Sequence, residues 1–130
     1  MKGILSMPEG LFELMDDLAS MGEEVDKAAA EALRAGAETA LELMNDKVPR
    51  DTGDLASTLK VGEITREGNR HLIEVGQMAG TPERETIKAI ISEFGSGKRE
   101  AHPFMRPAMT AGANKITKAM RKKLEERGLM

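Results

Sequence analysis

Two histidines, His71 and His102, are the chain's imidazoles, and acid–base or metal chemistry would start with them. A zinc site needs further His, Cys or carboxylate ligands converging on the same point. His71 stands between Arg70 and Leu72, His102 precedes Pro103, and neither has a partner at a recognisable ligand spacing. There is no cysteine, which removes disulfides, thiolate nucleophiles and Cys-ligated metals. No serine occupies a Gly-x-Ser-x-Gly elbow. Gly95-Ser96-Gly97-Lys98 superficially resembles the end of a phosphate loop, but the Gly-x-x-x-x-Gly-Lys-Ser/Thr frame is missing, and the stretch reads as a flexible loop. A small hydrolase built on Asp51 and His102 would lack a nucleophile–base–orienter set. The chemistry-bearing residues thus argue against an enzyme and call for no cofactor and no metal.

Composition narrows the class. With 130 residues the chain is expected to be one domain spanning 1–130. Three Phe, no Tyr or Trp and ten Met imply a modest core of Leu, Ile, Val, Met and Ala, helped by contacts with other subunits. A net charge of −3 and a pI near 5.5 argue against general nucleic-acid binding. The basic run Arg121, Lys122 and Lys123 reads as a solvated face suited to a helix C-terminus. It is also the one feature behind an alternative reading, a small regulatory or DNA-associated helical module. No run approaches the roughly 20 apolar residues of a membrane span. The N-terminal apolar stretch is shorter than a signal-peptide core, so no membrane association and residence in a cytoplasm are expected.

Several elements must position whatever the chain does. Leu11, Leu14, Met15 and Leu18 fall at helical spacing after Pro8. A long helix is predicted from Glu23 to Lys47, with Val25, Ala29, Ala32, Leu33, Gly36, Ala40, Leu41, Met44 and Val48 along a narrow stripe rich in Ala and Gly. Acidic residues on these first two helices read as solvent faces, and Val48-Pro49 ends the second. Asp51 or Thr52 can cap a short turn carrying Leu55 and Leu59. Strands follow at about 58–65 and 70–78, joined by Glu67-Gly68-Asn69, with Gly62 marking a bulge or a close backbone approach. Thr81-Pro82-Glu83 opens a further element in which Ile87, Ile90, Ile91 and Phe94 follow i, i+3, i+4, i+7. Helix is preferred for residues 82–94, with strand as the other possibility. A last helix is predicted from Met105 to Arg127, stopped by Gly128, with Met105, Met109, Ile116, Met120 and Leu124 as its apolar face. The expected class is α+β: long N-terminal and C-terminal helices packed on a small antiparallel sheet.

Two segments taken together carry a resemblance. The first is Val48-Pro49-Arg50-Asp51-Thr52-Gly53-Asp54-Leu55; the second is Glu93-Phe94-Gly95, followed by Pro103-Phe104-Met105-Arg106-Pro107-Ala108. In this order the chain resembles a family of small phage and prophage tail components, known as tail-completion or head–tail joining (neck) proteins of long-tailed phages. The resemblance implies a non-enzymatic structural part of the virion, made in the host cytoplasm and built into the tail or neck. Its partners would be tail-tube, tail-terminator and head–tail connector proteins, with no specific nucleic acid. Copies of the chain would form a homo-oligomer, with a hexameric ring as one form.

The same residues have physical readings. Pro49 ends the long helix, Asp51 and Thr52 cap a tight turn, and Gly53 and Gly95 suit positive φ. Pro103 fixes an extended approach, Phe104 plugs the core, and Pro107 is tolerated in the first turn of the last helix. Arg106 has Glu93, Asp51 or a neighbouring subunit as candidate partners. Leu55, Glu93 and Phe94 complete the set. As a whole it reads as fold-defining turns, with partner contact by loops 50–54 and 95–103 as the alternative.

Overall fold

The structure, a computed structural model, describes residues 2–6, 23–49, 53–68 and 70–129. The helical pattern at 11–18 and the site candidates Asp51 and Thr52 lie outside them. The elements in order are β1 (Lys2–Ser6), α1 (Glu23–Lys47), α2 (Asp54–Ser57), β2 (Leu59–Glu67), β3 (Arg70–Gln77), α3 (Glu83–Phe94), α4 (Met105–Thr110) and α5 (Ala113–Glu126). The class is α+β, with an antiparallel sheet in the order β1-β3-β2.

β1 is an addition to the elements expected from the sequence. It pairs with β3 from Lys2↔Gly76 to Ser6↔Leu72, which makes β3 the central strand. Ile73, Val75 and Gln77 of β3 are buried at the period-2 spacing of one sheet face. On β2 the register slips between Val61↔Val75 and Ile64↔Ile73, so two residues oppose Glu74 alone. This bulge lets Val61 and Ile64, three residues apart, both pack on the core. Gly62 sits in it, where a Cβ would lie 3.2 Å from the Glu74 carbonyl oxygen.

α1 runs between the ends expected from its sequence and crosses the sheet with its small residues inward. Ala29, Ala32, Leu33, Ala37, Ala40 and Met44 are fully buried. On α5, Ile116, Met120 and Leu124 pack against the same helix. Gly36 permits the close approach: a Cβ there would come within 2.7 Å of Met120 Cγ. Acidic Glu38, Glu42 and Asp46 face solvent.

The single C-terminal helix expected over 105–127 is two helices, broken at Ala111-Gly112. The reason is packing. Gly112 is buried, and a Cβ on it would lie 2.4 Å from both the Ala108 carbonyl oxygen and Leu43 Cδ1. Its N–H reaches back five residues to the Pro107 carbonyl at 3.1 Å. α5 then ends in a glycine-capped turn. Gly128 takes φ 75, its N–H donates to the Glu125 carbonyl, and the Leu129 N–H donates to that of Leu124. Arg121 and Lys122 are exposed on the outer side of α5, and Lys123 lies 3.5 Å from Glu126.

Two consequences are measurable. Gly112→Ala should cost about 1–3 kcal/mol in denaturant unfolding, because a backbone oxygen cannot move aside as a flexible side chain can. Arg127 donates to both carboxylate oxygens of Glu31, from Nε at 2.8 Å and from Nη2, and these bonds, with the arginine's charge, hold the Glu31 carboxyl below its ordinary value. The folded value is the depressed one, so the stabilisation is present above the unfolded-state pKa and disappears as pH falls through the folded one. An NMR titration should therefore find the Glu31 midpoint low, and Arg127→Ala should raise it.

Candidate functional site

Residues 82–94 form a helix, α3, and its apolar stripe points outward. Ile87, Ile90 and Phe94 are 49%, 45% and 59% exposed, while Glu85, Ala89 and Glu93 are buried. The inward residues repeat every four and the outward ones follow i, i+3, i+7, so the amphipathic pattern is genuine but inverted in sense. Isolated exposed leucines or isoleucines are unremarkable; three large apolar residues on one helix face, with two carboxylates turned inward, are not.

Each buried glutamate is hydrogen-bonded through Oε1, while its Oε2 is buried with no hydrogen-bond partner and is balanced by a nearby cation's charge alone. The Glu93 side chain has no exposure. Its Oε1 accepts from the backbone N–H of Met105 at 2.7 Å and of Arg106 at 3.3 Å, the first residues of α4. The Arg106 guanidinium donates from Nη2 to the Glu93 carbonyl oxygen at 2.5 Å, and its Nε lies 3.6 Å from Glu93 Oε2. The same guanidinium stacks 4.9 Å from the centre of the Phe94 ring. Glu85 is held by Lys88 Nζ at 3.2 Å and Arg84 Nε at 3.5 Å. The Glu85 backbone carbonyl accepts from Gln77 Nε2 at 3.0 Å, which hangs α3 on the end of β3.

A groove of about 630 Å³ runs beside α3. Its walls include Lys88 and Ile91 of the helix, Arg99 and His102 of the following loop, Pro49 just after α1 and Leu55 of α2. The loop is tied down rather than loose. Ser92 and His102 exchange bonds, the His102 N–H to the Ser92 carbonyl at 2.7 Å and the Ser92 hydroxyl to the His102 carbonyl at 2.8 Å. The Ser96 hydroxyl oxygen accepts from the N–H of Lys98 and of Arg99, at 3.3 and 3.2 Å, so the expected flexible loop is a closed turn. Gly95 has φ 77, and a Cβ on it would lie 3.0 Å from the Arg99 carbonyl oxygen.

The structure thus gathers Glu93, Phe94, Gly95 and Arg106 at one junction, with Phe104 buried beneath it and Pro103 and Pro107 half-buried on either side. Pro49, Gly53 and Leu55 stand across the groove. Among the candidate partners for Arg106, Glu93 is met, and Asp51 lies outside the described residues. Gly53, with φ 82, occupies the N-cap of α2, and no side chain caps that helix among the described residues. Pro82 holds the N-cap of α3, while the Thr81 hydroxyl donates to the Met78 carbonyl at 2.7 Å. The sequence reading did not single out Lys88, Arg99 or the exposure of Ile87 and Ile90; periodicity gives a helix its faces but not which one is buried. His71 lies 3.7 Å from Asp26, and no metal-binding cluster of His, Asp or Glu occurs among the described residues. No helix among them is long and apolar enough to cross a membrane.

The junction predicts a contrast. Glu93→Ala strands two backbone N–H groups and the arginine, and should lower unfolding stability by about 2–4 kcal/mol. Phe94→Ala, one residue on, should cost no more than about 1 kcal/mol, since only the stacked guanidinium loses a contact. Equal losses in urea titrations of the two variants would contradict the assigned orientation of α3.

Residues 12–95 match the model of the family described as "Bacteriophage HK97-gp10, putative tail-component". No curated protein and no solved structure matches the chain. The match spans α1, the hairpin and α3 with its outward face, and stops at Gly95, so the Pro103–Ala108 motif adds to it independently. Because it covers well over half of the chain, the protein belongs to the bacteriophage HK97-gp10 tail-component family.

Proposed function

We propose that this protein is a non-enzymatic structural part of a phage particle, acting at the end of the tail or at the head–tail joint. Its work there is surface complementarity, with tail-tube, tail-terminator or connector proteins as neighbours and further copies of itself closing a ring, six being one closure. On this reading residues 1–130 form one joining domain, made in the host cytoplasm and retained in the virion.

The observation that carries the proposal is the outward apolar face of α3. A chain that buries two carboxylates in order to expose Ile87, Ile90 and Phe94 has a face built for contact. Aromatic and aliphatic anchors of this kind are what an assembly interface desolvates, with the charged rim supplying register and specificity. The motif residues then have two roles. Glu93, Gly95, Phe104, Arg106 and Pro107 set the orientation of α3, while Phe94 and the groove beside Pro49, Gly53 and Leu55 meet the partner.

The test is genetic and structural. In a phage or prophage encoding this chain, deleting its gene should yield heads and tails that fail to join or tails that fail to finish, counted by negative-stain microscopy. The wild-type chain supplied in trans should restore complete particles, and Phe94→Asp should not, although its circular dichroism stays native. Complete particles at normal yield from the deletion strain, with the chain missing from purified virions, would overturn the proposal.

A further inference from the structure

The outer side of α5 is a stripe of cations. Ile116, Met120 and Leu124 are buried against α1, which fixes the rotation of the helix. Lys115, Lys118, Arg121 and Lys122 are exposed on the other side. Over its 14 residues α5 holds five cations and two carboxylates, in a chain whose net charge is −3. The charge of the whole chain therefore hides a local excess of the opposite sign. At physiological ionic strength charges are screened over about 8 Å, so a ligand lying on α5 meets the stripe rather than the average.

Among the described residues none of the four cations is held in an ion pair, whereas Lys123 beside them is matched by Glu126 and Arg127 by Glu31. The stripe borders a shallow hollow of about 700 Å³ lined by Asn114, Thr117, Lys118, Arg121, Lys122 and Glu125. Its uncharged members are an amide and a hydroxyl, and both can donate to an anionic oxygen. No large apolar side chain lines it.

That last feature separates two kinds of polyanion. An acidic protein surface is held by desolvated aromatic or aliphatic anchors with charge at the rim, and this face has no such anchor. A nucleic-acid backbone needs none, because release of its condensed counterions supplies the affinity. With no aromatic on the face, the bases of a single strand find no stacking platform, which favours a duplex. The spacing agrees. From Lys115 to Lys122 the helix rises about 10 Å, while one strand of a duplex advances about 3.4 Å per phosphate.

We propose that the outer face of α5 binds the phosphate backbone of duplex nucleic acid, without regard to its sequence. Lys118, Arg121 and Lys122 meet phosphate oxygens directly, with Lys115 extending the track and Asn114 and Thr117 as neutral donors. Glu125 bounds the track at its C-terminal end. The face is separate from that of α3, and the inference does not depend on where in a particle the chain sits.

The test is fluorescence anisotropy of a labelled mixed-sequence DNA duplex, titrated with the full-length protein between about 50 and 200 mM salt. The wild type should bind this duplex and a scrambled one equally. Its log affinity should fall against log salt with a slope of about −3, as three or four phosphate contacts require. Lys118→Glu combined with Arg121→Glu should weaken binding at least about tenfold at the lowest salt and flatten the slope by about two. Lys122→Gln alone, a milder change, should flatten it by about one. Lys27→Glu with Lys60→Glu alters the net charge as much as the first pair, at exposed positions elsewhere, and should leave most of the binding intact. No binding at the lowest salt, or the same loss from both double variants, would overturn the inference. So would binding of poly-L-glutamate as tight as that of the duplex, which would make the ligand an acidic protein surface instead.

Discussion

A carboxylate taken out of water costs several kcal/mol unless its lone pairs are met, so a buried glutamate constrains everything around it. Glu93 meets that demand on Oε1, which accepts from the first two N–H groups of α4, while Oε2 has no hydrogen bond and is offset by the Arg106 guanidinium at 3.6 Å. The partial positive charge of those N–H groups suits an anion, even on a helix as short as α4. Once Glu93 is inside, the rotation of α3 is settled. Ala89 must lie beneath, and Ile87, Ile90 and Phe94 must lie above. The carboxylate also joins α3 to α4 and so fixes Phe104 in the core, between a helix that faces outward and one that faces in.

The remainder of the fold gives this junction a rigid seat. α1 lies between the sheet and α5, and its Ala and Gly residues let both approach closely, as the space around Gly36 shows. Small residues cost little side-chain entropy on burial, which helps a core with few aromatics. Met44, Met105 and Met120 fill the irregular gaps that such packing leaves. The end of α1 and the turn through Gly53 build one wall of the groove, while the Ser92–His102 pair and the Ser96 turn hold the other. Local conformation at Gly53 and Gly95 thus controls the shape of a surface rather than the chemistry of a site.

Much of this was legible in the residues. α1 declared itself through a stripe of nine small or apolar positions, the hairpin through alternation around Gly68, and the bulge through Gly62. The Pro49, Gly53, Gly95 and Arg106 motif pointed to the junction and to the family. Three things were not legible, each for a physical reason. β1 is five residues long, too short for alternation to separate it from loop, and its pairing to β3 is non-local. The break at Gly112 depends on Leu43, a residue nearly seventy positions away, and no local rule anticipates it. The sense of α3 depends on partners supplied by Arg106 and by the start of α4. An apolar stripe is ordinarily the buried one, and here tertiary hydrogen bonding overrides that preference.

The central claim is that α3 faces outward because Glu93 is held within, and the absence of native cysteine makes it open to direct test. Single cysteines at positions 89 and 94 should be introduced in turn and their alkylation rates measured in dilute native solution against the unfolded chain. Phe94→Cys should react at close to its unfolded rate, and Ala89→Cys should be strongly protected. Equal rates, or faster labelling at position 89, would mean that the helix presents its other side and that the face described here does not exist.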